Sequence, residues 1–308
     1  MALPSSGTLS LLEIYNEAVS AGYSGGNDLQ SLINWSGWFN LPSGADSIAD
    51  FYGVSAGVIS KYIIFDGTND IVYSNSVNHA SLSTDVFSLS FWVRQNKVSG
   101  NSIFICWSAS TSTTNDMGRI WYYAPTFRFV YDQRNSSGTI ESRKQWYLHS
   151  DNSSVTGISG NWNSNHRGNT DSDGWTMITL TIDRTDTSTS AYKLYWNSSE
   201  VISYTNYTNN VSQYADPLNV TIGDASYSQS NWPTGSIIRA DLDQIKWYNK
   251  VLSSSEVSTL WNAGKVDTAT AGVTSGLATE LSFENSLADS GSIFGFTSQG
   301  SPAYGTHS

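Results

Sequence analysis

Two pairs of carboxylates in this chain have the spacing that cleavage of a sugar–sugar bond demands. Asp241 and Asp243 lie two residues apart, and Glu280 and Glu284 lie four apart. On a β-strand such spacings put both side chains on one face. Retaining glycoside hydrolysis needs two carboxyl groups about 5–5.5 Å apart. Lys246 follows the first pair, with no Glu beyond it, so Asp241 and Asp243 are expected to make turn or cross-strand hydrogen bonds instead. His79, His149, His166 and His307 are scattered, with no two at helical ligand spacing, and read as surface residues. No Gly-x-Ser-x-Gly elbow or phosphate-binding glycine loop is present. Lacking a nucleophile, base and orienter set, the chain is expected not to be an enzyme.

Binding chemistry is better represented. Asp66, Asp70 and Asp224 fall in turns beside predicted strands. Carboxylates so placed suit a hard cation such as Ca²⁺, and they equally suit capping of their own turns. Both readings stand, and Ca²⁺ is the one cofactor expected. Asp171-Ser172-Asp173-Gly174 starts like a calcium loop but lacks the bidentate Glu at its twelfth position. Sugars present apolar C–H faces to aromatic rings and hydroxyl edges to directional hydrogen-bond partners. Two loops offer that mixture, one at 160–168 with Trp162, Asn163 and Asn165, the other at 228–235 with Asn231 and Trp232. Both tryptophans stand among polar residues and are expected to be partly exposed. Packing between loops or subunits is the other use for them.

The elements that would hold these loops are strands. In Phe87-Ser88-Leu89-Ser90-Phe91-Trp92-Val93-Arg94 the apolar residues alternate, as they do at Ile178, Leu180, Ile182, at Tyr192, Leu194, Trp196 and at Leu218, Val220, Ile222. Period-two patterning predicts half-buried strands. Further strands are predicted at 62–65, 71–74, 102–107, 119–123, 127–132, 237–248 and 280–284, separated by Gly, Asn, Asp and Ser clusters. Many short alternating strands with turn chemistry between them make a two-sheet sandwich. One helix interrupts them: Ser253-Ser254-Ser255-Glu256 is a capping box, Val257, Leu260 and Trp261 form its stripe, and Gly264 ends it. Trp92, Trp175, Trp196, Trp247 and Trp261 lie in periodic segments and read as core. Cys106, the single cysteine, reads as a buried strand thiol, and it leaves no intrachain disulfide.

Charge marks a boundary. The 308 residues hold 15 Lys and Arg against 26 Asp and Glu, a net charge of −11, yet no cation precedes Lys61. So acidic a balance argues against a nucleic-acid partner, since little is available to neutralise phosphates. Membrane insertion is not expected either, because no apolar run nears the ~18 residues of a span, and the cation-free start fits neither a secretory signal nor a presequence. Residues 1–58 instead read as short helices. Ser10-Leu11-Leu12-Glu13 is a capping box that opens a stripe including Leu11, Leu12 and Tyr15, and Ser47-Ile48-Ala49-Asp50 leads into Phe51-Tyr52. Helices this short bury little alone, so they are expected to dock on a partner surface.

Residues 62–262 resemble the laminin-G-like branch of the concanavalin A-like lectin/glucanase superfamily. The resemblance is carried by Phe65-Asp66-Gly67-Thr68-Asn69-Asp70-Ile71-Val72, by the strand from Phe87 to Val93, and by the strand-then-helix run from Asp241 to Val257. It implies a mainly β fold, a concanavalin A-like antiparallel jelly roll, over residues 59–308. Leu281 to Gly291 resembles the edge strand that closes such sandwiches, while residues 124–170 match no pattern and read as an insertion. The glucanases of this superfamily use three carboxylates, Glu, Asp and Glu, and neither pair here completes that set. Residues 1–58 resemble a module at the start of tailed-phage virion proteins, through Met1-Ala2-Leu3-Pro4-Ser5-Ser6-Gly7, Ser43-Gly44 and Ser47 to Gly53. Together the halves resemble a tail-fibre or spike subunit of a phage virion, assembled in the bacterial cytoplasm. That resemblance implies a homotrimer that docks on other virion proteins through Leu11, Leu12, Tyr15, Phe51 and Tyr52. It also implies an outer domain that meets host-surface polysaccharide or neighbouring subunits. A capsid decoration or head fibre would need the same two parts.

Overall fold

The computed structural model describes Asn16 and residues 61–74, 82–83, 85–95, 101–108, 117–123, 128–134, 140–147, 174–186, 192–201, 204–209, 219–223, 238–265, 272–284 and 286–307. Lys61–Lys265 with Ala269–Thr306 forms one compact unit. Its described strands are β1 (Lys61–Asp66), β2 (Ile71–Ser74), β3 (Val86–Gln95), β4 (Asn101–Ser108), β5 (Met117–Tyr123), β6 (Arg128–Arg134), β7 (Ile140–Tyr147) and β8 (Thr176–Asp183). They continue with β9 (Tyr192–Trp196), β10 (Ser199–Glu200), β11 (Tyr204–Asn209), β12 (Asn219–Ile222), β13 (Arg239–Tyr248), β14 (Leu277–Leu281), β15 (Thr297–Gln299) and β16 (Ala303–Thr306). One helix, α1 (Ser254–Ala263), stands among them.

The strands form two eight-stranded antiparallel sheets. The first runs β10-β9-β8-β3-β13-β1-β16, with β14 also paired to β13, and the second runs β11-β7-β6-β5-β4-β12-β2-β15. The chain is a mainly β sandwich, consistent with the concanavalin A-like jelly roll that the resemblance implies.

Alternation decides which residues meet between the layers. Phe87, Leu89, Phe91 and Val93 are fully buried there, facing Ile105, Trp107, Ile120, Phe129 and Val220. Rings lock the layers together. Phe87 stacks on Trp247 with centroids 4.9 Å apart, and Trp107 from the other sheet meets both edge-on, at 5.6 and 5.3 Å. Farther along, Phe91 meets Phe104 at 5.5 Å, and Phe104 stacks on Phe129 at 5.7 Å.

The outer face of the first sheet is buried too. Trp92, Met177, Tyr195 and Tyr248 lie under Leu252, Val257 and Leu260, and Trp92 stacks on Trp261 at 5.1 Å. Helix α1 therefore acts as a lid on this face. It begins at the predicted box: Ser253 N–H donates to Glu256 Oε2 at 2.9 Å, and Glu256 N–H donates back to Ser253 Oγ at 3.3 Å. The five tryptophans read as core are buried or, for Trp261, half-buried against this cluster, and Cys106 is a buried strand residue.

Strand β13 organises the first sheet. One side pairs with β3 from Ala240 to Tyr248. The other side pairs with β1 as far as Leu242 and with β14 from Ile245. A bulge in the β3 pairing between Asp243 and Lys246 coincides with this change of neighbour, and Gln244 takes the left-handed backbone there, with φ 46°.

Two sequence expectations are corrected. Residues 124–170 are not simply an insertion, since β6 and β7 within them are inner strands of the second sheet. Strand β6 meets the strand expected at 127–132, whereas β7 was not expected, because Lys144 stands at an inward position beside Trp146 and breaks its apolar period. Leu281 to Gly291 is not the closing edge strand, and the strand expected at 280–284 lies earlier, as β14. Strand β14 ends at Leu281, and the edges are closed by β15 and β16. The run between β14 and β15 is shaped by the buried Asp289 carboxylate, which accepts from Thr279 Oγ1 at 2.6 Å, Ile293 N–H at 2.8 Å and Phe294 N–H at 3.1 Å. A carboxylate serving three local donors holds a loop, not a ladder.

Gly118 lies where the Trp107 ring crosses its own sheet, and a Cβ at that position would fall inside the indole. The substitution Gly118→Ala is expected to destabilise the sandwich by about 2 kcal/mol through overpacking, read as a lower denaturant midpoint at unchanged slope.

Candidate functional site

Eleven of the residues singled out from sequence lie outside the described residues: Trp162, Asn163, Asn165, Asn231, Trp232, Asp224, Leu11, Leu12, Tyr15, Phe51 and Tyr52. Asp66 and Asp70 are described. Asp70 is buried; its Oδ2 accepts the Asp66 N–H at 3.0 Å, and its Oδ1 accepts the Ser301 N–H at 2.9 Å. Asp66 Oδ1 caps its own turn, accepting the Thr68 N–H at 2.7 Å. These carboxylates tie the β1–β2 turn to the segment between β15 and β16. Among the described residues no three of His, Cys, Asp and Glu come together, so this pair does not by itself fit a calcium cradle.

The four carboxylates with hydrolase-like spacing all have structural partners. Asp241 on β13 lies opposite Arg94 on β3. Arg94 Nε donates to Asp241 Oδ2 at 2.8 Å, and Nη2 lies 2.7 Å from the same oxygen. Asp243, fully buried, accepts the Gln244 N–H at 2.7 Å and so supports the bulge. Glu280 lies 3.1 Å from Lys246 Nζ, which also donates to Gln244 Oε1 at 3.1 Å. Glu284 receives the Lys61 N–H on both oxygens, at 3.0 and 3.1 Å, where β1 begins. The expected cross-strand role of Asp241 and turn role of Asp243 are what the geometry shows.

Arg94 was not singled out by sequence. Its guanidinium lies over the rings of Tyr62 and Trp175, 5.0 Å from each centroid, and Nη2 donates to Tyr62 Oη at 2.7 Å. Burial works against its charge, but the hydrogen bond and charge of Asp241 outweigh that and raise its pKa. The only sequence signal was a cation closing an alternating strand on its polar phase. Its partners became visible only once β3, β13 and β1 were set in register.

Lys144 on β7 also escaped notice. It lies opposite Tyr131 and two residues from Trp146, on the inner face, and is only 2% exposed. Burial pulls its pKa down to about 8, against the opposing charge of Glu200.

With this geometry in hand, comparison with known proteins is informative. The Laminin_G_3 model, of the concanavalin A-like lectin/glucanases superfamily, matches residues 66–258, more than half of the chain. The chain is a laminin-G-like member of the concanavalin A-like lectin/glucanases superfamily. No curated protein matches it. Among solved structures, this laminin-G-like sandwich is similar to the heptameric SAP-like pentraxin of Limulus polyphemus, at 10% identity and TM-score 0.48, covering 80% of this chain and 95% of that one. It is also similar to a candidate carbohydrate-binding protein of Bacteroides ovatus, at 12% identity and TM-score 0.45, covering 85% and 66%. A third likeness is to the NanB sialidase of Streptococcus pneumoniae, at 14% identity and TM-score 0.42, covering 64% of this chain and 27% of that one. The sandwich thus spans about a quarter of the sialidase. Among the described residues no helix is long and apolar enough to cross a membrane.

Lys144 generates a pH prediction. Its ordinary value is 10.5. Below about pH 8 both folded and unfolded chains carry the proton, and the penalty of the buried charge is present in full. Between 8 and 10.5 the unfolded chain holds more protons, so this group makes stability rise with pH. The stability difference between Lys144→Met and the native chain should therefore shift against the variant across that window, measured by urea denaturation at stepped pH. A difference that stays constant with pH would contradict the depressed value.

Proposed function

We propose that this chain is a non-enzymatic, glycan-binding component of a phage virion, most simply a tail-fibre or spike subunit. Residues 1–58 dock it on other virion proteins, and the sandwich meets polysaccharide on the host surface. The observation that carries binding over cleavage is the engagement of Asp241, Asp243, Glu280 and Glu284. Each is held by a guanidinium, an ammonium or backbone N–H groups. A catalytic acid or nucleophile must be free to reach the substrate, and these four side chains are engaged within the fold. Membership of a lectin-containing superfamily and the sugar-like chemistry of the loops around Trp162 and Trp232 support the same reading. The virion setting rests on the likeness of residues 1–58 to phage docking modules and on their lack of cations.

A glycan array with the full chain is expected to give selective binding without new reducing ends in the bound polymer. Trp162→Ala with Trp232→Ala should weaken that binding about tenfold or more, the scale expected when aromatic contact area is lost. Particles assembled with Leu11→Asp and Leu12→Asp should lack the protein. Release of reducing ends that is lost in Asp243→Asn would make the chain a glycan-degrading enzyme instead, and normal incorporation of the leucine variants would refute the docking role.

A further inference from the structure

We infer that Arg94 is a recognition group for a carboxylate-bearing sugar, of the uronate or sialate class. The inference rests on the glycan-binding reading above and specifies the class of glycan. A guanidinium has five N–H donors. Nε and Nη2 of Arg94 are directed at Asp241 and Tyr62. The two donors of Nη1 have no acceptor among the described residues. Exposure separates the cation from its counter-charge, since the Arg94 side chain is 30% exposed and that of Asp241 only 3%.

The group is also immobilised in advance. Two rings clamp it and two polar partners orient it. The rotamer entropy that a flexible surface arginine would lose on binding is therefore already spent. Gly174, with φ 83°, lies beside the aliphatic stem of Arg94: a Cβ there would come 3.8 Å from Arg94 Cδ. A planar carboxylate matches a guanidinium edge in geometry. Asp241 already balances part of the cation's charge, which favours a singly charged partner over a phosphate dianion.

The test uses the full chain and three acidic polymers, polygalacturonate, hyaluronate and colominic acid, each beside its carboxyl-reduced form. At least one acidic polymer is expected to bind about tenfold more tightly than its reduced form, as loss of a charged hydrogen bond implies. Arg94→Lys keeps a cation for Asp241 but loses the guanidinium edge. It should abolish the preference, read as the ratio of acidic-polymer to reduced-polymer affinity of the folded variant. Tyr62→Phe keeps the ring under Arg94 and should keep the preference. Equal binding of acidic and reduced polymers by the native chain overturns the inference without any variant, as does a preference that survives in Arg94→Lys. If neither these polymers nor a neutral glycan array gives binding, the glycan-binding reading itself fails.

Discussion

Burial of both faces of the first sheet is the constraint on which the rest of this structure depends. Strand β13 meets it most fully. Ala240, Leu242, Ile245 and Trp247 enter the core between the sheets, while Asp241, Asp243, Lys246 and Tyr248 lie on the face that α1 covers. A sheet with one wet face could leave its polar residues to water. Here each must find a partner inside the protein, because an unpaired buried charge costs several kcal/mol. The partners come from three directions: Arg94 across the ladder, Glu280 from β14, and the Gln244 backbone at the bulge.

That satisfaction bears directly on function. A carboxylate held by a guanidinium or by a backbone N–H is well suited to fix a strand in place. The same bonds that stabilise β13 therefore support the proposed reading of recognition over cleavage. They also leave one group on this face only partly committed. Arg94 is pinned from below by Asp241 and from the sides by two rings, so its remaining edge is presented in a single orientation. The bulge at Gln244 falls where the other side of β13 passes from β1 to β14.

Strands with clean alternation were legible because their core face is wholly apolar, as in Phe87 to Val93 and Ile178 to Ile182. Helix α1 was legible through its capping box. Strand β7 was not, because Lys144 occupies an inward position among Tyr131, Trp146 and their neighbours and breaks the period. Strands β15 and β16 escaped as well, being short, exposed edge strands whose identity comes only from pairing with β2 and β1. The structural roles of Asp241 and Asp243 could be expected from spacing and neighbouring residue types, but their partners could not be named. Those partners lie 147 positions away for Asp241 and one position away for Asp243.

The sequence by itself determined the period of the strands, the start and stop of the helix, the lack of a third carboxylate beside Asp243 and the cation-free opening of the chain. All of these are local properties of residue type and spacing. Only the tertiary structure decided which strands neighbour β13, that the outer face of the first sheet is covered, and that Arg94 meets Asp241, Tyr62 and Trp175 at one point. Strand order and register are set by the joint burial of residues far apart in the chain. No window along the sequence contains that information.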